Sequence, residues 1–324
     1  MLTKLSTHIK QNFSKNLVDF TTNLLFILIF TLIFGEENLL PIVALSVGFL
    51  MFPKINFGVT DKVLIMTNLI LFPLGGIISQ LPHSQPFLLF FVYAAFTLLI
   101  LILTAEPIAF QYSIPYMINF LFCQATPVES THALNRIICL VIGSVVLSIL
   151  AVKSKKRQPL TVTKLNLDEQ IKRSVSNPIY LLKMTLSVSI AMTIAILIHA
   201  PKPLWISIVA MSLTEIHFSE TVKKTRERII GTAFGVIVFY LFLVKLIPTP
   251  YAIVFILSVG FISYFLVDYK HKTIVNSIAA MNAALVMFPS GVSIANRFIG
   301  LFIGIVIAIV VAMMCHLIQK AIVR

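Results

Sequence analysis

The chain alternates long apolar runs with short polar breaks. Twelve apolar runs stand out, at 17–34, 38–53, 62–80, 86–104, 108–124, 133–152, 179–199, 203–215, 226–247, 250–268, 273–289 and 294–318. Most approach the roughly 20 residues that a helix needs to cross a bilayer core. The second and eighth are shorter and are expected as tilted or half-length helices. Polarity does not alternate residue by residue, so barrel strands are excluded. In hydrocarbon every backbone polar group needs a partner, and helices supply one internally. The pattern predicts an all-α integral membrane protein of about twelve transmembrane helices.

The pattern also runs twice. Ile42-Val43-Ala44-Leu45-Ser46 returns as Ile208-Val209-Ala210-Met211-Ser212. Ser113-Ile114-Pro115-Tyr116-Met117 returns as Ser277-Ile278-Ala279-Ala280-Met281. Asn135-Arg136 and Gly143 return as Asn296-Arg297 and Gly304. The spacing is close to half the chain each time. We read two tandem six-helix modules, 1–152 and 179–324, joined by a polar linker, 153–178. Six is even, so both copies insert the same way, related by an axis along the membrane normal. Within the linker, Leu165–Ile171 is expected as a short amphipathic helix on the inner surface.

Composition agrees with this solvent: 58% of residues are hydrophobic and 11% charged, with a mean hydropathy of +0.99. With the N-terminus placed in the cytoplasm, all Lys and Arg residues except Arg136, Lys183, Lys202, Lys245 and Arg297 fall in inner segments. The positive-inside rule therefore predicts both termini in the cytoplasm. It also accounts for the net charge of +13 without nucleic-acid binding. The first apolar run has full length and no small-x-small cleavage site, so it is expected to be retained. Cys123, Cys139 and Cys315 have neither disulfide nor metal spacing and are expected as packing residues. No catalytic or cofactor motif is present in the sequence, so neither an enzyme nor a cofactor is expected.

Ionisable residues inside a span are functional candidates. Arg136, Arg228 and Arg297 each open a helical seam: Arg136-x-x-Cys139-x-x-x-Gly143, Arg228-x-x-Gly231-Thr232-x-x-Gly235 and Arg297-x-x-Gly300-x-x-x-Gly304. Positions i, i+3 and i+7 share a helix face, and small residues there admit a neighbouring backbone. The arginine then stands where it can meet an anion. Counted along the spans, Arg228 falls near the inner end, Arg136 and Arg297 near the outer end. That reversal hints at inverted three-helix units within each module. The fifth and eleventh spans are the most polar, with Gln111, Tyr112, Ser113 and Asn119 in one and Asn276, Ser277 and Asn282 in the other; Pro115 interrupts the first. They point to a midplane binding site, with interhelical hydrogen bonding as the plain alternative. Candidates for proton coupling are Asp19, Glu106, Glu215 and His199. Asp19 and Lys183 occupy matching places and are candidates to pair across the modules, and Glu215 to pair with Arg226 or Arg228.

Around residues 200–240, Trp205 opens a short apolar span that ends at Glu215. A basic loop follows, and then Arg228-Ile-Ile-Gly231-Thr232-Ala-Phe-Gly235. This resembles the fusaric acid resistance and aromatic acid exporter superfamily of bacterial inner-membrane proteins, whose hallmark is a tryptophan-bearing helix followed by R-x-x-G-T-x-x-G. The resemblance implies export of small aromatic or amphiphilic organic acids driven by the proton gradient, with a periplasmic membrane-fusion adaptor. Large members carry a sizeable cytoplasmic domain. Here only the linker stands in that place, so the chain resembles a compact, membrane-only relative.

The expected function is thus a secondary exporter of organic anions in the bacterial inner membrane. Its partners would be the lipid bilayer, a small organic anion, an adaptor and, optionally, further copies of itself. An organic-anion channel is the runner-up, since it needs arginines but no titratable coupling group. A non-transporting scaffold is third.

Overall fold

The computed structural model describes residues 2–55, 57–104, 112–155, 165–285 and 287–323. The helices are α1 (Leu2–Phe34), α2 (Leu39–Met51), α3 (Asp61–Ile78), α4 (Pro86–Thr104), α5 (Ile114–Ala125), α6 (Ser130–Lys155), α7 (Leu167–Val175), α8 (Pro178–Leu197), α9 (Pro203–Leu213), α10 (Phe218–Phe239), α11 (Ala252–Ser263), α12 (Tyr269–Leu285) and α13 (Ser290–Val323). A seven-residue π-helical stretch, Tyr240–Leu246, continues α10. The protein is all-helical, and eight helical segments among the described residues are long and apolar enough to cross a membrane. The helices at 114–125, 203–213 and 252–263 are apolar but shorter. It is a multi-pass membrane protein.

Several boundaries depart from the apolar runs. α1 and α10 begin well before their apolar stretches because Lys, Glu, Arg and Gln continue a helix readily outside hydrocarbon. Pro115 does not interrupt a span: it lies in the first turn of α5 and opens it, where its missing N–H costs nothing. Pro178 and Pro203 do the same for α8 and α9. Gly35 takes φ 87° between α1 and the following turn, a backbone setting that favours glycine. Glu106 and Gln111, both sequence candidates, lie outside the described residues, as does 156–164 of the linker.

The linker helix α7 starts two residues later than its amphipathic pattern suggested and does not lie free on a surface. Asn166 and Glu169 form a reciprocal cap. Leu165 pairs with the α2–α3 connection, its N–H reaching Gly58 O at 2.8 Å. α7 packs on α4 and α8 and buries Gln170 and Ser174 there. These contacts put α7 at the C-terminal end of α4 and the N-terminal end of α8, which defines one end of the bundle.

Four helix contacts recur in chain order. The pairs α1–α2, α2–α6, α3–α5 and α3–α6 have counterparts α8–α9, α9–α13, α10–α12 and α10–α13. Between the halves, α4 lies along α8 while α1 touches α11 lightly. In that lighter contact Phe20 packs on Phe261 and Tyr264. Leu181, Met184, Val188 and Met192 of α8 enter the same apolar core as Phe96, Ile100 and Phe120. The two halves therefore share one core along α4 and α8.

Candidate functional site

The buried face of α10 carries Thr221, Thr225, Arg228, Gly231, Thr232, Gly235 and Phe239, the stripe that a helical period produces. Its glycines let α12 approach closely. A Cβ on Gly231 would stand 2.7 Å from the Lys270 carbonyl oxygen, and one on Gly235 2.7 Å from that of Ile274 and 2.8 Å from Ser277 Cβ. Gly300 and Gly304 do the same for α13 against α9, where a Cβ would meet Trp205 Cβ at 3.1 Å and Val209 Cβ at 2.7 Å. Gly143 of α6 sits under Leu45 of α2 in the first half. Gly235→Ala should therefore force α10 and α12 apart, an overpacking cost of about 1–3 kcal/mol. Gly291, with nothing within 4 Å of its would-be Cβ, is the matched control. Thermal unfolding of the purified protein should show a lower midpoint for Gly235→Ala than for Gly291→Ala; equal midpoints would refute the seam.

The close seams bring two arginines together. Arg228 and Arg297 are each only 4% exposed. An Arg228 terminal nitrogen (Nη1) donates to the Tyr269 hydroxyl at 3.2 Å, and that hydroxyl meets Ser212 Oγ at 3.0 Å. One Arg297 terminal nitrogen (Nη2) donates to Ser277 Oγ at 3.3 Å, and the guanidinium lies over the Trp205 ring at 5.3 Å. Ser277 and Thr232 hydroxyls stand 3.5 Å apart between them. Each arginine acts within electrostatic range of the other. Both buried Nε–H groups lack an acceptor. Among the described residues no carboxylate pairs with either arginine. Counting along the spans sets these two toward opposite ends; in the fold both reach α12, Arg228 at Tyr269 and Arg297 at Ser277, and both are buried.

Arg136 is held differently. Its Nε donates to Asn38 Oδ1 at 3.0 Å, and its terminal nitrogens reach the carbonyls of Glu37 at 2.7 Å, Cys123 at 3.5 Å and Thr126. Asn38 and Asn135 both donate to the Phe34 carbonyl, at 2.7 and 2.8 Å. Arg136 thus ties the end of α1 and the following turn to the C-terminal end of α5, where free carbonyls favour a cation.

Among the described residues, the first half has no partner for Arg136 of the kind Arg297 has. Gly75 of α3 packs on Asn119 of α5 as Gly235 packs on Ser277. Seven residues before that glycine stands neutral Asn68, which accepts from Tyr116 at 2.5 Å and donates to Ser148 at 2.9 Å. Asn119 donates to the Phe72 carbonyl at 3.0 Å. These amides bind helices to one another. Of the other polar candidates, Asn276 is exposed and Asn282 half-buried, so only Ser277 of that set joins the arginine cluster.

The carboxylates take other partners than the sequence suggested. Asp19 pairs with Lys54 at 2.6 Å, not with Lys183, whose ammonium donates to the carbonyls of Glu215 and Ile216 at 2.9 Å each. Lys183 instead caps the C-terminal end of α9 from α8. Glu215 pairs with Lys224, not with Arg226 or Arg228. Lys224 lies 5.0 Å from the Tyr269 ring centre, one turn before Arg228 on the same helix. His199 is not part of this cluster; it follows the C-terminal end of α8 and lines a different pocket. Tyr269, Ser212 and Lys224 were not singled out from sequence. Only the four-residue spacing of Lys224 and Arg228 hinted that they share a face.

An open, charged depression of about 570 Å³ lies beside this cluster, lined by Glu215, Lys224, Glu227, Asp268 and Tyr269 among others. Tyr269 stands between it and the buried arginines. A path of polar groups thus runs from that end of the bundle to Arg228 and Arg297.

Residues 190–311 match the family model described as fusaric acid resistance protein-like. The matched stretch runs from within α8 into α13 and takes in Trp205, Arg228, Gly231, Thr232, Gly235, Ser277 and Arg297. No curated protein and no solved structure matches the chain. The match agrees with a membrane transport and efflux function.

Proposed function

We propose that this chain, fusaric acid resistance protein-like over residues 190–311, is a secondary transporter that exports small aromatic carboxylic acids across the bacterial inner membrane. The observation that carries the reading is the Arg228–Arg297 pair, buried with unpartnered Nε–H groups and with no carboxylate partner among the described residues. Two cations in a low-dielectric interior repel each other and each loses hydration. A carboxylate between them supplies the missing acceptors, with the Ser277 and Thr232 hydroxyls as further donors and the Trp205 ring beside it. Arginine suits this task because its planar fork meets a carboxylate through two parallel bonds.

In this reading the chain crosses the membrane twelve times as two tandem six-helix modules, with both termini in the cytoplasm. The recurring helix pairs support the duplication, and the basic inner segments support the orientation. The modules have diverged: Arg136 serves structure, Arg297 the anion. Tyr269 and the Glu215–Lys224 pair form the inner gate. Protonation of Glu215 frees Lys224 and thereby couples the gate to the proton gradient. A periplasmic adaptor continues the path, and self-association belongs to the same reading.

Cells that lack their own exporters and carry this protein should accumulate less of a transported aromatic acid than control cells. Dissipating the proton gradient should abolish that difference. Glu215→Gln should leave equilibrium binding of the acid intact but remove the dependence of export on the gradient. Export that persists in uncoupled cells would refute proton coupling while leaving the anion site standing.

A further inference from the structure

At the end of the bundle opposite α7, a pocket of about 310 Å³ lies between the two halves, in the angle of α4, α5, α8 and α9. That volume falls within the roughly 300–1,000 Å³ usual for small-molecule sites. Its wall is mostly apolar, with Met192 among the lining side chains. Its polar members are Tyr93, Gln124, Ser207, His83 and His199, and among the described residues no carboxylate lines it.

Two features of the pocket are unspent by packing. The Tyr93 hydroxyl donates to Gln124 Oε1 at 3.1 Å, which fixes the amide so that its nitrogen faces away from Tyr93. That nitrogen is buried and has no acceptor, and Gln124 itself is 8% exposed. Buried amide N–H groups without a partner are rare and point to a missing ligand atom. His199, beyond the last turn of α8, has φ 48°, alone in positive φ among the described non-glycine residues. The left-handed residue after a helix is ordinarily glycine. Histidine there is conformationally unfavourable, yet it puts an imidazole on the pocket.

We infer that this junction pocket is a second ligand site, which binds an amphiphilic organic acid. The apolar body lies against the Met192 wall. The carboxylate accepts from Gln124 Nε2 and from the imidazole N–H groups of His83 and His199. The site is distinct from the arginine pair, because α9 stands between them. Ser207 faces the pocket, whereas Trp205, two residues earlier, faces Arg297. The inference does not depend on the export reading, since it requires only binding.

The test is calorimetric titration of the full chain, in lipid nanodiscs, with 2-naphthoate and with neutral 2-naphthalenemethanol. An Arg228→Ala/Arg297→Ala background removes the other anion site. Naphthoate should still bind in that background, and the alcohol about tenfold more weakly, as loss of a hydrogen-bonded charge implies. Gln124→Leu should weaken naphthoate about tenfold on the same grounds. His199→Gly should weaken it too while raising the melting temperature, because glycine relieves the left-handed conformation. A purely structural histidine would not move the two readouts in opposite directions. If Gln124→Leu fails to fold, His199→Gly carries the test alone. Absence of naphthoate binding in the arginine-free background, or unchanged affinity in His199→Gly, would overturn the proposal.

Discussion

Arg297→Ala is expected to lower export of an aromatic acid by about ten- to a hundredfold, the size of one or two lost charge-assisted hydrogen bonds. The variant should still insert and fold. In the protein as described, Arg297 is a buried cation whose partners are a serine hydroxyl and a tryptophan face. Its removal relieves repulsion with Arg228 and leaves no buried carboxylate behind. Replacing a poorly compensated buried charge is often neutral or stabilising, so the melting temperature should hold or rise. Arg297→Lys should recover little export, since an ammonium cannot make the parallel pair of bonds. The single tryptophan of the chain offers a direct readout. Trp205 fluorescence should change when the acid binds to the intact protein, and most of that change should be lost in Arg297→Ala, where only the junction pocket still binds. A well-folded Arg297→Ala protein that exports at the parental rate would remove the anion site from the proposal.

Arg136→Ala is expected to do the reverse. Here the guanidinium satisfies Asn38 Oδ1 and the carbonyls of Glu37, Cys123 and Thr126. Its loss strands acceptors at the junction of α1, α5 and α6, in a place where Arg136 itself is fully buried. Each buried acceptor left without its donor costs about 1–3 kcal/mol, and several are stranded together. The membrane level of the variant should fall sharply, and its thermal midpoint should drop. Arg136→Lys should recover part of the loss by reaching one or two of the same carbonyls. An Arg136→Ala protein with normal stability but no export would mean that Arg136, and not Arg297 alone, meets the substrate. The two substitutions form a pair: the same residue type, at matching places in the repeated pattern, with opposite expected effects on folding and transport.

That contrast shows where sequence reasoning ran short. Arg136 and Arg297 look alike in one dimension, since each follows an asparagine and opens a seam of small residues. What separates them is the company that other helices bring. The α1–α2 turn and the end of α5 supply carbonyls to Arg136. α9 and α12 supply an indole and a hydroxyl to Arg297. Asp19 and Lys183 likewise match in sequence, but their actual partners, Lys54 and the end of α9, come from connections whose path no local pattern encodes. Gln124 and His199 meet at one pocket only because α4 packs on α8 and α5 on α9 across the two halves.

The sequence by itself determined the helical, membrane-embedded character of the protein. Runs of apolar residues near bilayer length leave the backbone no other way to satisfy its hydrogen bonds. It also determined the seams, because glycine at i+3 and i+7 is legible as a surface that another helix can approach. It marked Arg228, Arg297, Ser277 and Trp205, and the fold brings these four into one neighbourhood. Only the tertiary structure decided which buried charges are neutralised and which stand open. Charge compensation depends on atoms a few ångströms away in space, and those atoms lie on helices far apart along the chain.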